Sequence, residues 1–550
     1  MKRKNRFIFL FLLLSLFFAF AGQGYAAEGD IPIDAAHFPD ENFRKCLISA
    51  NGGKAVFSKS QIAEITSLRL PNNDIADLTG IKYFTGLKVL HCEGNQLTIL
   101  DLGGCTALEY LSCEGNQLTG LYLSGCIALT ELSCYGNPLT KLYLSGCSAL
   151  KSLICEGNQL TKLDLSGYTA LEKLSCSGNQ LTEVNLSGCT ALKELGMLVQ
   201  CSSLTKLNLS GCTALETLWC FDNQLTELDL SGCSALTYLS CERNQLTELD
   251  LSGCTALTRL DCGSNQLTEL DLSGYTALEY LGCDNNQLTE LDLSGYTALE
   301  YLSCSENQLT KLDLSGCTAL GYLWCLENPL KDLNMSGCSS LESLSCAGLK
   351  LTKLNLSGCS ALKYLECQGN RLTKLDLSGC LALKKLDCSF NQLTELNLSG
   401  YSVLQKLNCH ANKLVKLILS GCTVLEELDC GENKLTELDL SDCTALEELG
   451  CRNNQLTRLD LSHNTNLYSL NCTTNYTLTS LILGNNTQLT KLECGNNYNL
   501  KSLDISGCPN LIDFDVSENT IIIRDKLAQP EFKYHSLMLD GQIGVNFYVY

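Results

Sequence analysis

The stretch LEYLSCEGNQLTGLYLSGCIA (residues 108–128) is one copy of a 21-residue unit that repeats from Leu87 onward. Its pattern is L-x-x-L-x-C-x-x-N-x-L-T-x-L-D-L-S-G-C-T-A, and we count about 22 copies between Ile65 and the copy that begins at Leu511. A unit this short cannot bury both of its sides, so it is stable only when stacked on further copies. The 550 residues therefore predict one long array rather than several globular domains.

Apolar and polar residues alternate in two short runs of each copy. In the first run, Leu111 and Cys113 alternate with Tyr110, Ser112 and Glu114, which is the period of a strand with one buried face. The second run, LTGLYLSG, alternates again before Ser-Gly reverses the chain. The asparagine between the runs can bond backbone groups of the turn, and stacked copies would form a ladder of such bonds. We predict a strand, a turn, a short extended segment and a second turn in each copy.

The motif L-x-x-L-x-C-x-x-N-x-L resembles the leucine-rich repeat consensus over roughly residues 65–520. The repeat length, the cysteine at the sixth place and the following LTxLDLS resemble the cysteine-ladder, internalin J-like branch of bacterial leucine-rich repeat surface proteins. Late copies such as LDLSHNTNL (459–467) fit that pattern best. The resemblance implies a leucine-rich repeat solenoid with a parallel β-sheet on the concave face, extended segments and turns on the convex face, and a small helical N-terminal cap.

The first residues have the composition of a secretory signal. Residues 1–27 combine a basic start, an apolar run from Phe7 to about Phe20, and small residues that place cleavage after Ala26 or Ala27. No later stretch is long and apolar enough to cross a bilayer, so we expect a secreted or cell-surface protein without a transmembrane segment in its mature chain. The net charge of −21 disfavours nucleic acid and anionic lipid as partners. We expect a monomer.

Three further segments are expected after the signal. Residues 28–64 predict a helical cap, because FPDENFRKCLISA (38–50) carries an apolar helical face and SKSQ (58–61) reads as a capping box. The loop between these two motifs lacks acidic ligands, so calcium is not expected there. Residues 65–523 form the repeat array. Residues 524–550 read as a linker and the start of a β-rich module, and we expect the natural protein to continue beyond them.

Of the 35 cysteines, all except Cys46 and Cys201 occupy either the strand place or the SGC place of the repeat. Zinc needs about four converging ligands, and disulfides need Cβ atoms roughly 3.8 Å apart, whereas stacked strands repeat near ~4.8 Å. Tyr168 replaces cysteine at the SGC place and Met197 at the strand place, and both share only apolar bulk with it. We interpret the thiols as small buried hydrophobes, unsuited to redox catalysis, with disulfides and metal ligands as the weaker alternatives.

The sequence contains no catalytic or cofactor motif. The five histidines are scattered, and there is no phosphate loop, H-E-x-x-H or dinucleotide-binding glycine pattern. Repeated TELDL segments place a strip of carboxylates opposite the strands, which reads as a solvated face, with weak cation binding as the alternative. The strip comprises Glu227, Asp229, Glu248, Asp250, Glu269, Asp271, Glu290 and Asp292. We therefore predict no enzyme activity, no cofactor and no metal.

Aromatic residues at outward strand places are the candidate binding residues. They are Trp219, Phe221, Tyr238, Tyr280, Tyr301, Tyr322, Trp324 and Tyr364. Exposed aromatic side chains with a polar rim are typical of interfaces with proteins and carbohydrates, although tyrosine also favours strands for packing reasons alone.

Two functions are consistent with these patterns. The favoured hypothesis is an exported bacterial surface protein that binds a protein or glycan through the concave face of the array, as in adhesion. The alternative is a structural spacer or targeting arm whose activity or anchor lies in a C-terminal module absent from this chain.

Overall fold

The structure is a computed structural model. It describes residues 29–196, 203–517, 520–524 and 547–549. The predicted signal peptide (1–27), Met197, Cys201 and most of the segment 524–550 lie outside the described residues. No helix in the described ranges is long and apolar enough to span a membrane.

By its internal packing the chain divides into two units. The first is Met1–Leu129 together with Tyr143–Cys147, and the second is Thr130–Leu142 together with Ser148–Tyr550.

The first unit begins with a helical cap. Its elements are α1 (Glu41–Ala50), α2 (Lys59–Glu64) and an antiparallel strand pair, Ile31–Pro32 with Val56–Phe57. Asp40 starts α1 by accepting the N–H of Phe43 at 2.8 Å. Ser58 and Gln61 bond reciprocally at the start of α2, which confirms the predicted capping box.

The repeats of the first unit stack beside this cap. Their elements are the parallel strands Ser67–Arg69, Val89–His91 and Tyr110–Ser112, a 3-10 helix at Ile81–Tyr83, and a second parallel pair, Ile99–Asp101 with Gly120–Tyr122. Leu68, Leu90 and Leu111 are aligned by the register of the first three strands and are buried. Stacking therefore covers the apolar face that a single copy cannot bury.

The second unit contains a long parallel sheet. Its strands are Glu131–Ser133, Ser152–Ile154, Lys173–Ser175, Glu194–Gly196, Thr217–Trp219, Tyr238–Ser240, Arg259–Asp261, Tyr280–Gly282, Tyr301–Ser303, Tyr322–Trp324, Ser343–Ser345, Tyr364–Glu366, Lys385–Asp387, Lys406–Asn408, Glu427–Asp429, Glu448–Gly450, Ser469–Asn471, Lys491–Cys494 and Asp513–Val516. Each middle leucine points inward; Leu281 and Leu302, for example, are aligned and fully buried. The predicted solenoid of stacked parallel strands is confirmed.

The opposite side of these repeats, which we call the second side, carries shorter parallel sheets. They are Lys162–Asp164 with Glu183–Asn185 and Lys206–Asn208, Glu290–Asp292 with Lys311–Asp313, Asp332–Asn334 with Lys353–Asn355, Glu395–Asn397 with Lys416–Ile418, Arg458–Asp460 with Ser480–Ile482, and Ser502–Asp504 with Ile521–Arg524 and Phe547–Val549. The last strand falls in the segment predicted as the start of a β-rich module, and it pairs with the final repeat.

Buried asparagines link neighbouring copies, as predicted. Asn286 donates from Nδ2 to the carbonyl oxygens of Cys262 and Cys283, both at 3.1 Å. Its Oδ1 accepts the N–H of Leu267 at 2.9 Å. The same pattern recurs in copy after copy, so backbone groups that the turn would otherwise leave unpaired are satisfied between repeats.

The cysteines of the described residues are all free, and all except Cys46 are buried. Burial raises the pKa of many of these thiols, for example to about 12 at Cys220 and Cys325. The prediction of buried thiols is confirmed, and since a protonated thiol is a poor nucleophile, this environment is unsuited to redox catalysis.

The idea that tyrosine and cysteine share only apolar bulk is wrong. At the SGC place the Cys317 Sγ donates to the carbonyl oxygen of Leu293 at 3.3 Å, and the Tyr275 hydroxyl donates to the corresponding carbonyl of Leu251. In a late copy, the Asn464 amide donates to an equivalent carbonyl. Each of these carbonyls also accepts a backbone N–H, as Leu251 does from Cys254 at 2.7 Å, so the side chain at this place adds a second hydrogen bond to a buried acceptor.

Candidate functional site

The outward side chains of the long sheet form what we call the strand face. Because the strands are parallel and in register, equal places of successive copies stand about 4.8 Å apart. Tyr280, Tyr301 and Tyr322 are aligned in this way on three neighbouring strands. Bulky side chains at one place therefore contact their counterparts in the next copy.

One stretch of the strand face carries a continuous row of aromatic rings and one arginine side chain, which together we call the aromatic ribbon. It consists of Trp219, Tyr238, Arg259, Tyr280, Tyr301, Tyr322 and Trp324.

Ring contacts hold the ribbon together. Tyr280 and Tyr301 stack with centroids 4.4 Å apart and planes 11° from parallel. Trp324 lies 4.9 Å from Tyr301 and 5.9 Å from Tyr322, centroid to centroid. At the other end, Trp219 and Tyr238 meet edge to face at 5.8 Å. Each such pair contributes about 0.5–1.5 kcal/mol beyond area burial, so the rings are held in place before any ligand arrives.

Arg259 joins the two groups of rings. Its Cζ lies 5.9 Å from the Tyr238 ring centre and 5.4 Å from that of Tyr280. Sequence reasoning missed this residue, although it stands at the third place of the copy between those of the two tyrosines. The sequence contained the information needed to find it, because strands stacked in register place Arg259 between Tyr238 and Tyr280.

The remaining predicted residues lie outside the ribbon. Phe221 is half-buried at the edge of the strand face beyond Trp219. Tyr364 is 44% exposed, but Ser343 occupies the strand between it and Tyr322. Within the described part of the chain, neither ring contacts a ribbon ring. Within the ribbon, Tyr322 is 42% exposed and the other rings are half-buried.

A group of carboxylates that we call the Asp261 cluster lies beside the middle of the ribbon. Glu242, Asp261 and Asp284 supply its carboxylates, and Gly263 and Gly282 supply its floor. A Cβ on Gly282 would stand 3.0 Å from the Asp261 Oδ1, and one on Gly263 would stand 3.6 Å from the same atom. The two glycines are buried, and their missing side chains make room for the Asp261 carboxylate.

The electrostatic potential around the Asp261 cluster is negative. Partial burial, together with the neighbouring Glu242 carboxylate, raises the pKa of Asp261 to about 7. Burial, reinforced by the Asp261 charge, also raises the pKa of Tyr280. The third carboxylate, Asp284, is fixed by the Ser303 hydroxyl at 2.5 Å and by the backbone N–H of Ser305 at 2.8 Å.

A related depression occurs further along the strand face, around Asp429. Gly431 and Gly450 form its floor as Gly263 and Gly282 do for Asp261. Here His410 stands at the place of Glu242, with its Nδ1 3.5 Å from the Asp429 Oδ1. The surrounding groove encloses about 420 Å³ and has basic as well as acidic residues in its wall. In this copy of the arrangement, Lys385, Lys406 and Arg452 supply the basic groups of the wall.

The aspartates of the carboxylate strip on the second side have a structural role. The Asp250 Oδ1 accepts the backbone N–H of Ser252 at 2.8 Å, and bonds from that serine lower the pKa of Asp250. Asp229, Asp271 and Asp292 accept the equivalent serine N–H in their own copies. The glutamates of the strip are exposed. Nowhere in the described ranges do three or more His, Cys, Asp or Glu residues form a group arranged to hold a metal ion.

Two protein families match parts of the chain. Residues 38–179 match the leucine-rich repeat domain of the endo-beta-N-acetylglucosaminidase EndoS. Residues 213–253 match a family of paired leucine-rich repeats.

Individual proteins that the chain resembles include bacterial ones. Internalin J of Listeria monocytogenes is 45% identical over 67 residues, which span 12% of this chain and 7% of that protein. The solved functional domain of the same internalin, which includes a cysteine ladder, is 31% identical, with 80% of this chain and 78% of that chain covered and a TM-score of 0.41. YopM from Yersinia enterocolitica is 27% identical, with 82% and 91% covered and a TM-score of 0.56.

Proposed function

Because this chain belongs to the bacterial leucine-rich repeat proteins of the internalin type, we propose that it is an exported surface protein that binds another macromolecule. The ligand, a protein or a glycan, binds at the aromatic ribbon of the strand face. The protein then acts as a rigid scaffold and not as a catalyst.

The aromatic ribbon is the observation that carries this proposal. Tryptophan, tyrosine and arginine are the residue types enriched at binding hot spots, and the ribbon consists of these three alone. It crosses six successive strands, which at ~4.8 Å per strand is about 24 Å. That length suits a standard interface of about 800 Å² per partner.

A purely structural spacer does not need this surface. The equivalent first strand positions elsewhere in the long sheet carry residues such as Ser152, Lys173, Lys406 and Glu448, and the stack is just as regular there. The aromatic residues are concentrated in one stretch instead of being spread evenly along the sheet. This concentration favours binding over the alternative of a spacer or targeting arm.

The test is binding to host cells and to arrayed glycans and proteins by a variant that carries Tyr301→Ala, Tyr322→Ala and Trp324→Ala. A matched control carries Tyr122→Ala and Tyr143→Ala, which remove tyrosines that are 46% and 56% exposed on the opposite side of the first unit. We expect the ribbon variant to lose at least about 100-fold in affinity, since hot-spot truncations cost ~2 kcal/mol or more each. The control should bind normally.

Equal binding by the ribbon variant, the control and the wild type would favour the spacer. Far-UV circular dichroism of both variants checks that the stack is intact. Export is tested separately by N-terminal mass spectrometry of the protein recovered outside the cell, where we expect a mature chain that begins at Ala27 or Glu28.

A further inference from the structure

We propose that the first unit carries a second binding site, for a neutral oligosaccharide, on the side that holds strands Ile99–Asp101 and Gly120–Tyr122. The site joins a cavity beside the N-terminal cap, which we call the cap cavity, to two exposed tyrosines. These are Tyr122 and Tyr143, and we call them the tyrosine shelf. The site does not depend on the aromatic ribbon, because all of its residues belong to the first unit and those of the ribbon to the second.

The two shelf tyrosines occupy a place that other copies use to close a turn. In most copies an aspartate or asparagine stands there and accepts the backbone N–H two residues further on, as Asp101 does from Gly103 at 2.9 Å. A tyrosine ring cannot make this bond. Two neighbouring copies therefore give up a structural hydrogen bond and expose aromatic rings, at 46% for Tyr122 and 56% for Tyr143. Where a repeat departs from its own local rule in this way, a role in binding is the expected reason.

Gly120 makes room for the first ring of the shelf. A Cβ on this glycine would stand 3.1 Å from Cε2 and 3.2 Å from the hydroxyl oxygen of Tyr122. The following copies carry Lys141 and Lys162 at the same place, and side chains of that length would displace the ring. In the preceding copy the place holds Ile99, which pairs in register with Gly120 and is 55% exposed. The surface beside the shelf is therefore uncharged across two copies.

The cap cavity borders this surface. It encloses about 810 Å³ and is lined by residues 36–37, 76–83 and 98–101, a size typical of small-ligand sites, which enclose about 300–1,000 Å³. Tyr83 in its wall is 39% exposed and is held by the Phe38 ring at a centroid distance of 5.8 Å. Asp101 at its edge pairs in register with Tyr122, and Tyr122 with Tyr143. Cavity and shelf thus follow one another over successive copies, which suits an elongated ligand.

The charged groups of the cavity wall already have partners within the chain. The Lys82 Nζ lies 2.6 Å from the Asp101 Oδ2, and the His37 Nδ1 lies 2.8 Å from the Asp34 Oδ1. The Asp77 carboxylate accepts a backbone N–H at 2.7 Å. A charged ligand would have to compete with these contacts, whereas a neutral one would not. Tyrosine rings stack on the C–H faces of sugars while their hydroxyls bind polar groups, so a neutral oligosaccharide matches both halves of the site.

The size of the shelf argues against a protein as the ligand. The shelf and the strand beside it cross three copies at ~4.8 Å per copy, and each strand has three residues at ~3.3 Å, so the surface measures about 10 Å in each direction. That is roughly 100 Å², whereas a stable protein interface needs about 800 Å² on each partner. A narrow chain of sugar rings fits such a surface.

Isothermal titration calorimetry of the full-length mature protein tests the proposal. The neutral probes are cellohexaose, maltohexaose, chitohexaose and mannohexaose, and the comparison probes are a heparin hexasaccharide and hexaglycine. We expect saturable binding of at least one neutral oligosaccharide and none of the comparison probes. If no neutral oligosaccharide binds, the proposal is wrong.

Two matched variants locate the bound sugar. Tyr122→Asn with Tyr143→Asn removes both rings and restores a residue that other copies carry, so the fold should be at least as stable in urea unfolding, yet affinity should fall at least about ten-fold. Tyr476→Asn with Tyr498→Asn removes another neighbouring pair of exposed tyrosines, stacked at 6.0 Å but far along the chain from the cap. This control should change affinity less than about two-fold. Equal affinities in the two variants would overturn the proposal.

Failure of this proposal is distinguishable from failure of the proposed function. The ribbon variant, with Tyr301, Tyr322 and Trp324 replaced by alanine, should bind the oligosaccharide as the wild type does. If the ribbon variant loses the oligosaccharide while the shelf variant keeps it, the sugar binds at the ribbon, so the shelf proposal falls and the proposed function stands.

Discussion

Replacing one buried asparagine should open the stack locally, and Asn286→Ala is the most informative substitution. The side chain donates to the carbonyl oxygens of Cys262 and Cys283 and accepts the N–H of Leu267. The two carbonyls keep a second donor, from Asn265 at 3.0 Å and Asn307 at 2.9 Å respectively. The Leu267 amide, in contrast, loses its bond to Asn286 and is left buried.

The expected cost follows from these bonds. An unsatisfied buried donor costs about 1–3 kcal/mol, and each of the two lost second bonds contributes about 0.5–1.5 kcal/mol. The local opening free energy should therefore fall by roughly 2–6 kcal/mol. At about 1.4 kcal/mol per factor of ten, hydrogen exchange at the Leu267 amide should accelerate by about 1.5 to 4 orders of magnitude.

Hydrogen exchange with mass spectrometry on peptides that contain Leu267 measures this directly, since exchange reports local opening. The matched control is Gln287→Ala, one residue along, where the side chain is exposed. An unchanged exchange rate in Asn286→Ala, or an equal acceleration in the control, would refute the role assigned to the asparagine ladder. Peptides several copies away should be unaffected, because each repeat packs only on its neighbours.

Three further predictions concern single groups. The folded state raises the pKa of Asp261 to about 7, so the native protein binds this proton more tightly than the unfolded chain does, and its stability falls as pH rises from about 4 to 7. Asp261→Asn should therefore add about 2 kcal/mol to the free energy of unfolding at pH 8, with allowance for solvent screening, and little at pH 4. Urea unfolding at the two pH values measures this difference. Tyr275→Phe removes the hydroxyl donor from the Leu251 carbonyl, which keeps the backbone N–H of Cys254 at 2.7 Å; it should cost about 0.5–1.5 kcal/mol in the same assay, whereas Tyr322→Phe at the surface should cost less than about 0.5 kcal/mol. Among the described cysteines, native alkylation with iodoacetamide should label Cys46 first, because the others are buried.

Repeat spacing was sufficient to predict the architecture. The alternation around Leu111 and Cys113 defines one buried face, and a 21-residue unit with such a face has few ways to bury it other than stacking. The capping box at Ser58 and the asparagine ladder were also predictable, because both depend on hydrogen bonds between groups at fixed short offsets. These features depend on sequence patterns within short segments of the chain, and the patterns of the repeat recur in each copy.

The composition of the binding surface depended on the tertiary structure. The sequence indicated that aromatic residues face outward, but not that Tyr364 would be separated from the ribbon by Ser343, or that Arg259 would bridge two rings. It gave no indication of the Asp261 cluster, in which two glycines from successive copies make room for one carboxylate.

The tyrosines at the SGC place illustrate the same limit. From the sequence, Tyr275 and cysteine had only bulk in common, whereas in the fold both hydroxyl and thiol reach a carbonyl of the preceding copies. The sequence by itself determined the unit, its inward face and its stacking, since these follow from periodicity along the chain. The tertiary structure decided which outward groups touch, because those contacts join residues about one repeat apart and depend on side-chain direction and on the space that neighbouring side chains leave.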